Sequence, residues 1–267
     1  MHTMRLQVSY DGTDLFGWQI QPQARTGQGE LEAALATVLK VPVKTACAGR
    51  TDAGVHATGQ VVSFQTPRLI PERAWIPALN AVLPRDIAVW HAEETHPEFH
   101  ARHSAISRSY RYQVVHRGPR QPLRARHASW VEGPLDVEAM REVWTSLLGT
   151  HDFTHFGSTG SDPTSPICTV TDAALIEAGD TLHFTITADH FLYHMVRRLV
   201  GTTLRVGKGV LSGEGFQATW AGIGPRPSGP TAPPHGLSLI AVGYPPRFQW
   251  KRKSGITETA VDPTATV

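Results

Sequence analysis

The chain has 267 residues, 40% of them apolar and 18% charged, which is enough for one large or two modest cores and too apolar for a disordered protein. The net charge is +2 at pH 7, and no run reaches the roughly 18 apolar residues of a membrane-spanning helix. The two cysteines, Cys47 and Cys168, form neither a zinc spacing nor a disulfide framework. The N-terminus runs into a strand without the apolar stretch of a signal peptide, so a cytoplasmic location is expected.

Met4–Tyr10 alternates, with Leu6, Val8 and Tyr10 on one face, and predicts a strand that ends in the Asp11-Gly12 turn. Leu15–Gln19 is an apolar loop. Thr26 is placed to cap a helix over Gly29–Leu39, where Leu31, Ala34, Leu35 and Val38 fall at helical spacing. Two short strands follow, Val43–Cys47 and Gln60–Thr66. Pro71 opens a second helix reaching Val82, and Ile87–Ala92 is the next strand. Ser107–Val115 reads as a strand, 117–127 as a Pro- and Arg-rich loop, and Ala128–Val131 as a short strand. Asp136–Leu148 carries Val137, Met140, Trp144, Leu147 and Leu148 on one face, with Gly149 closing the helix. Residues 158–166 form a polar loop, and Cys168–Glu177 and Thr181–Ala188 form a hairpin. Phe191–Val206 is predicted helical, Phe216–Ala221 is a short helix, 224–234 is a Pro- and Gly-rich loop and Leu237–Tyr244 is the last strand.

This order gives an α+β fold, with helices packed on a mixed or antiparallel sheet. Strand–helix–strand–strand–helix–strand from Met4 to Ala92 matches a ferredoxin-like unit. The expected division is residues 1–103, residues 104–246 and a polar, frayed tail over 247–267.

The small net charge hides two basic windows. Residues 100–131 contain no acid and seven arginines, at 102, 108, 111, 117, 120, 124 and 126. A second acid-free window, 190–208, holds Arg197, Arg198, Arg205 and Lys208. Arginines clustered among aromatics suit a polyanion, and nucleic acid is the expected partner.

The densest chemistry lies at Ala48–Ala57, where Arg50, Asp52 and His56 sit in a glycine-flanked loop between two strands. Asp or Thr in such a loop can simply cap a turn. A carboxylate beside a guanidinium favours its ionised form and can act as nucleophile or general base.

Gly49-Arg50-Thr51-Asp52-Ala53-Gly54-Val55-His56-Ala57 resembles the active-site signature of the TruA family of tRNA pseudouridine synthases. The resemblance extends in order along the chain. Tyr10-Asp11-Gly12 with Phe16-Gly17-Trp18-Gln19, Gln28–Glu32, Phe99–Arg102, Arg108–Tyr112, Phe191–Arg197 with Gly201, and Gly236–Leu239 are all similar to family segments. The resemblance implies the pseudouridine synthase fold, with two halves sharing a central sheet under a basic cleft. It also implies an isomerase that uses no cofactor, works as a homodimer and converts uridine to pseudouridine at positions 38, 39 and 40 of the tRNA anticodon stem-loop. By position in the motifs, Asp52 would be the catalytic carboxylate. Arg50 would help flip the target nucleotide, Tyr110 would stack on the base and could take its C5 proton, Arg197 would pair with Asp52, and Leu237 would pack against the base. Base flipping itself demands a pocket that stacks and hydrogen-bonds the extruded base, which suits a tyrosine.

The chain departs from the family pattern in three places. Gly27 stands where a Val usually precedes Gln28, Pro163–Pro166 replaces a segment that often carries an Arg-Thr pair, and Ser109 stands where a basic residue is common. His190 and His194, four apart on the predicted helix, have the spacing of a two-histidine metal face, but no third ligand is evident. A catalytically inert RNA-binding module and a metal-dependent nucleotide hydrolase are the competing classes.

Overall fold

The structure, a computed structural model, describes residues 1–158, 165–223 and 229–251. The expected loops at 158–166 and 224–234 and the expected tail at 247–267 therefore lie partly outside the described residues; the start of that tail is not frayed, since Phe248 is buried.

In chain order the elements are β1 (His2–Tyr10), α1 (Gly27–Leu39), β2 (Thr45–Cys47), β3 (His56–Thr66), α2 (Trp75–Asn80), β4 (Ile87–Glu94), β5 (Ser107–Val115), β6 (Ser129–Trp130), α3 (Val137–Thr145), β7 (Gly149–Asp152), β8 (Ile167–Ala178), β9 (Thr181–Ala188), α4 (Met195–Gly207), α5 (Gly213–Trp220) and β10 (Leu237–Gly243). The fold is α+β, and its first six elements follow the order predicted from the sequence.

Two compact units divide the chain. One comprises Met1–Arg108 with the segment from Ser238, and the other comprises Ser109–Leu237. The division differs from a simple halving of the sequence because β10 returns to the first unit, where Ser238 and Leu239 pair in parallel with His56 and Ala57 of β3.

In the first unit the sheet order is β4-β1-β3-β10, with β2 also on β3. β1 is antiparallel to both neighbours, with Leu6 opposite Val62 and Ala92. Met4, Leu6, Val8, Val62 and Phe64 are core residues, and the opposite face is covered too, with Arg5, Val61 and Ser63 also buried. Thr26 caps α1 by accepting the Gly29 N–H, and Lys40 closes it in the left-handed conformation with its N–H on the Ala36 carbonyl. Leu31, Ala34, Leu35 and Leu39 form the buried face of α1.

A second cluster in this unit gathers Ala48, Val61, Phe99, Ala101, Tyr244 and Phe248. Beside it Arg5 and Glu93 form a buried ion pair, with Arg5 Nε 2.6 Å from Oε1. Arg5 also donates to the Phe248 and Gln249 carbonyls and lies 3.9 Å from the Trp250 ring. These bonds satisfy a charge that would otherwise be costly to bury, and they fasten the segment after β10 to β1.

In the second unit the order is β5-β9-β8-β7, with β6 parallel to β5. β8 and β9 form the predicted hairpin, with Leu175 opposite Phe184. Asp136 caps α3 on the Ala139 N–H, and α3 buries Met140, Val143 and Trp144. The Trp144 ring meets Phe184 edge-on at 4.9 Å and donates Nε1–H to the Thr185 carbonyl. β7 was not predicted: it is four residues long and largely exposed, and carries no alternating apolar pattern.

α4 begins four residues later than the sequence predicts. Its N-cap, His194, has φ 62° and ψ 2°, a left-handed conformation, and with Tyr193 it forms a turn ahead of the helix. His190 and His194 therefore do not share a helix face, and the two-histidine metal spacing disappears.

Candidate active site

The loop from Gly49 to Val55 is positioned by two neighbouring parts of the first unit. The first is the segment after β1. Trp18 N–H donates to the Thr51 carbonyl at 3.0 Å, and Gly54 N–H donates to the Leu15 carbonyl at 3.3 Å. A Cβ at Gly12 would lie 2.0 Å from the Val55 carbonyl oxygen, so only glycine permits this approach. Gly12 N–H also donates to His56 Nδ1 at 2.9 Å. Asp11 Oδ1 lies 3.1 Å from that same nitrogen, but it already accepts from the Thr13 N–H and hydroxyl. With Gly12 and Asp11 both at Nδ1, His56 serves as a strut between the two loops.

The second support is β3 itself. Gln60 Nε2 donates to the Gly49 carbonyl at 2.7 Å and lies 3.4 Å from the Tyr10 hydroxyl, which in turn is 2.7 Å from Thr51 Oγ1. Val55 N–H closes the loop's own turn on the Asp52 carbonyl. Within this frame Arg50 is exposed and Asp52 half-buried. Arg108 holds the residue just before the loop through two bonds to the Ala48 carbonyl, and it also donates to the Arg102 carbonyl. Burial pushes the Cys47 thiol up to about 11, against the opposing pull of Arg50, Arg102 and Arg108. Three of the chain's arginines thus set a positive field around the start of this loop.

Arg50 and Asp52 belong to the first unit, whereas Tyr110, Arg197 and Leu237 belong to the second. Tyr110 projects from β5, half-buried, and meets Phe191 edge-on at 5.1 Å. Arg197 lies in the first turn of α4 and donates Nε–H to the Ala232 carbonyl at 2.8 Å. Its charge is felt by two neighbours. The Tyr112 hydroxyl is pushed up to about 12 by burial, opposed by its Ser129 bond and by Arg197. Burial and Arg197 together lower the His235 ring. Leu237, the first residue of β10, is buried.

The basic windows are less uniform than their sequence suggests. Arg124 is bound to Asp180 at 2.9 Å, and its bonds, with those of Gln121 and Thr181, hold that carboxyl well below the usual range. Arg117 pairs with Glu177 at 2.8 Å, and Arg111 is buried. Arg120 is exposed, with its guanidinium 5.0 Å from the Trp130 ring. Arg117 and Arg124 are thus matched by carboxylates of the same unit, whereas Arg120 is exposed.

One group in the second unit could ligate a metal: Cys168, Asp189 and His190 bring ligand atoms within 4.8 Å of one another. Its members are already engaged, with His190 Nδ1 2.9 Å from Asp189 and Nε2 2.8 Å from the Ser165 carbonyl. Sequence reasoning missed this group, and it also missed Gln60 and Tyr10 as supports of the Asp52 loop. The available signal was a single polar residue, Gln60, heading the apolar run Val61-Val62.

The family model for tRNA pseudouridine synthase matches residues 7–104 and 143–245. The chain belongs to the tRNA pseudouridine synthase family. It is 44% identical over 238 residues to tRNA pseudouridine synthase A of Halalkalibacterium halodurans, covering 89% of this chain and 90% of that protein. It is 44% identical to the protein of the same name from Chromobacterium violaceum, covering 91% and 93%, and 43% identical to that of Geobacter sulfurreducens, covering 91% and 100%. Gly27, one of the three departures from the family pattern, has a local reason: a Cβ there would stand 2.8 Å from Cε3 of the buried Trp18. No helix among the described residues is long and apolar enough to cross a membrane.

Proposed function

We propose that this family member isomerises uridine to pseudouridine at positions 38, 39 and 40 of the tRNA anticodon stem-loop, with Asp52 as the catalytic carboxylate. The observation that carries the assignment is the frame around Asp52: a half-buried carboxylate, next but one to an exposed arginine, on a loop fastened to two neighbouring segments. The reaction breaks the bond from uracil N1 to the sugar C1′ and forms one from C5 to C1′. The C5 proton leaves and N1 gains one, so atoms and electrons balance without an oxidant. A carboxylate could attack the base, attack C1′ or remove a sugar proton. The target must first leave the stack, at a cost of about a few kcal/mol that pocket contacts offset. Nucleotide flipping by Arg50, stacking and C5 proton transfer by Tyr110, charge at the site from Arg197 and base packing by Leu237 complete the reading. These roles rest on motif position in the family.

We further propose a cytoplasmic homodimer as the working species, on the family likeness alone; sedimentation at the mass of a single chain at working concentration would end that part. The central experiment is Asp52→Asn. It should lower the single-turnover rate of pseudouridine formation by about 10³-fold or more while tRNA affinity stays within about twofold, a loss confined to chemistry. Mass-spectrometric mapping of pseudouridine in transcribed tRNA gives the rate. Normal turnover by Asp52→Asn would remove the catalytic assignment, and product at other tRNA positions would remove the substrate assignment.

A further inference from the structure

Gln60, Tyr10 and Thr51 form a polar chain inside an otherwise apolar part of the first unit. Their exposures are 0%, 5% and 7%. Tyr10 lies with its ring 5.4 Å from the Trp18 ring, and Gln60 is followed on β3 by the buried Val61 and Val62. Buried polar side chains cost stability unless every group is bonded, and an apolar set of the same volume often serves a core equally well. Gln60 and Tyr10 both bond the Asp52 loop. The Gln60 carboxamide takes hold of Gly49, donating to its carbonyl at 2.7 Å and facing its N–H at 3.5 Å. In effect it replaces a strand neighbour that the loop lacks. The same Nε2 reaches the Tyr10 hydroxyl at 3.4 Å. The Tyr10 hydroxyl in turn shares a hydrogen bond with Thr51 Oγ1, 2.7 Å away.

The segment 49–52 is thereby held at two points, Gly49 by Gln60 and Thr51 by Tyr10. Arg50 lies exposed between them, and Asp52 comes immediately after. The Thr51 carbonyl is held separately by Trp18, so the side-chain bond to Tyr10 adds a second hold on the residue preceding the carboxylate. We infer that Gln60 and Tyr10 are positioning residues for the reaction, acting in series through Thr51 to fix the direction of the Asp52 carboxylate. This rests on the reading of Asp52 as the catalytic carboxylate. Neither side chain touches substrate, and both act on the turnover rate rather than on RNA binding. Small misplacements of a catalytic group cost up to about 10²-fold in rate, the range in which the effect should fall.

The test compares Tyr10→Phe, Gln60→Met and the double variant with wild type and Asp52→Asn, measuring kcat, KM for transcribed tRNA and melting temperature. Tyr10→Phe keeps the ring and removes only the hydroxyl. Each single variant should lose about 10- to 100-fold in kcat, with KM within about twofold and melting temperature near wild type. Because the two act through one path, the double variant should lose little more than the worse single variant. A Gln60→Glu protein should recover part of its kcat as pH falls and its carboxyl regains a proton to donate. Wild-type kcat in both single variants, with Asp52→Asn inactive, overturns this inference and leaves Asp52 standing. Losses that follow the unfolded fraction, or that appear in KM, overturn it as well. An active Asp52→Asn protein instead removes the reading on which it rests.

Discussion

At the residue scale, the site depends on how closely main chains approach one another, and the clearest case lies next to the Asp52 loop, on β3. A Cβ at Gly59 would stand 2.1 Å from the Ile240 carbonyl oxygen. That oxygen belongs to β10, the strand whose Ser238 and Leu239 pair with His56 and Ala57. Backbone cannot rotate away as a side chain can, so Gly59→Ala must push β10 off β3. Overpacking of this kind costs about 1–3 kcal/mol, and urea unfolding should show at least that loss with an unchanged m-value. Full stability in Gly59→Ala would mean the strands separate at no cost. Nothing in the sequence marks this glycine, because its partner is 181 positions further along the chain. Asp52, by contrast, was legible: its loop carries a rare combination of residue types between two strands. Gln60 fell between these cases, visible as a polar residue before an apolar run and interpretable only once Tyr10 lay beside it.

At the scale of elements, the strands and helices with strong periodicity were legible and their ends were less so. β5 and β9 match the sequence reading residue for residue, and α1 carries its predicted cap, Thr26, whereas α3 ends at Thr145 with Ser146 as its C-cap, and Gly149, expected to close it, instead begins β7. The start of α4 failed because His194 takes a left-handed conformation, which an apolar pattern cannot report. Some element ends are set by ion pairs whose partners are far apart in sequence. Arg25, just before α1, faces Asp86, just before β4, through two parallel bonds of 2.7 and 2.8 Å, and its Nε bonds Glu30 at 2.7 Å. The Asp86 carbonyl also accepts the Asp11 N–H, which links the pair to the segment supporting the Asp52 loop. The Arg25 bonds hold the Asp86 carboxyl below the usual carboxylate range, against the upward push of burial. A depressed folded value stabilises the protein above the unfolded value of about 3.9, and that contribution is lost as pH falls through the folded value. Asp86→Asn should therefore be less stable at pH 7 and should lose stability less steeply between about pH 5 and pH 2. Unfolding midpoints across that range give the comparison, and parallel profiles for the two proteins would rule the pair out as a source of acid sensitivity.

At the scale of the whole molecule, α+β class and element order followed from the sequence, whereas the return of β10 to the first unit did not, since parallel pairing with β3 leaves no local mark. The basic windows were legible as charge, but which charges are available was not. Arg124 is tied to Asp180, and Arg117 to Glu177, while Arg120 stands exposed over Trp130. Polyelectrolyte binding counts phosphates neutralised, so an arginine whose charge is already matched by a carboxylate releases few counterions when RNA arrives. The affinity for tRNA should fall linearly in log–log form with rising salt, and Arg120→Gln should reduce that slope by about one. Arg124→Gln should leave the slope unchanged and instead lower the melting temperature, because it removes the bonds to Asp180 and Thr181. Filter-binding titrations from low to high salt on wild type and both variants separate the two roles. If Arg124→Gln flattens the slope and Arg120→Gln does not, the ion pair opens in the complex and the exposed arginine lies away from the RNA.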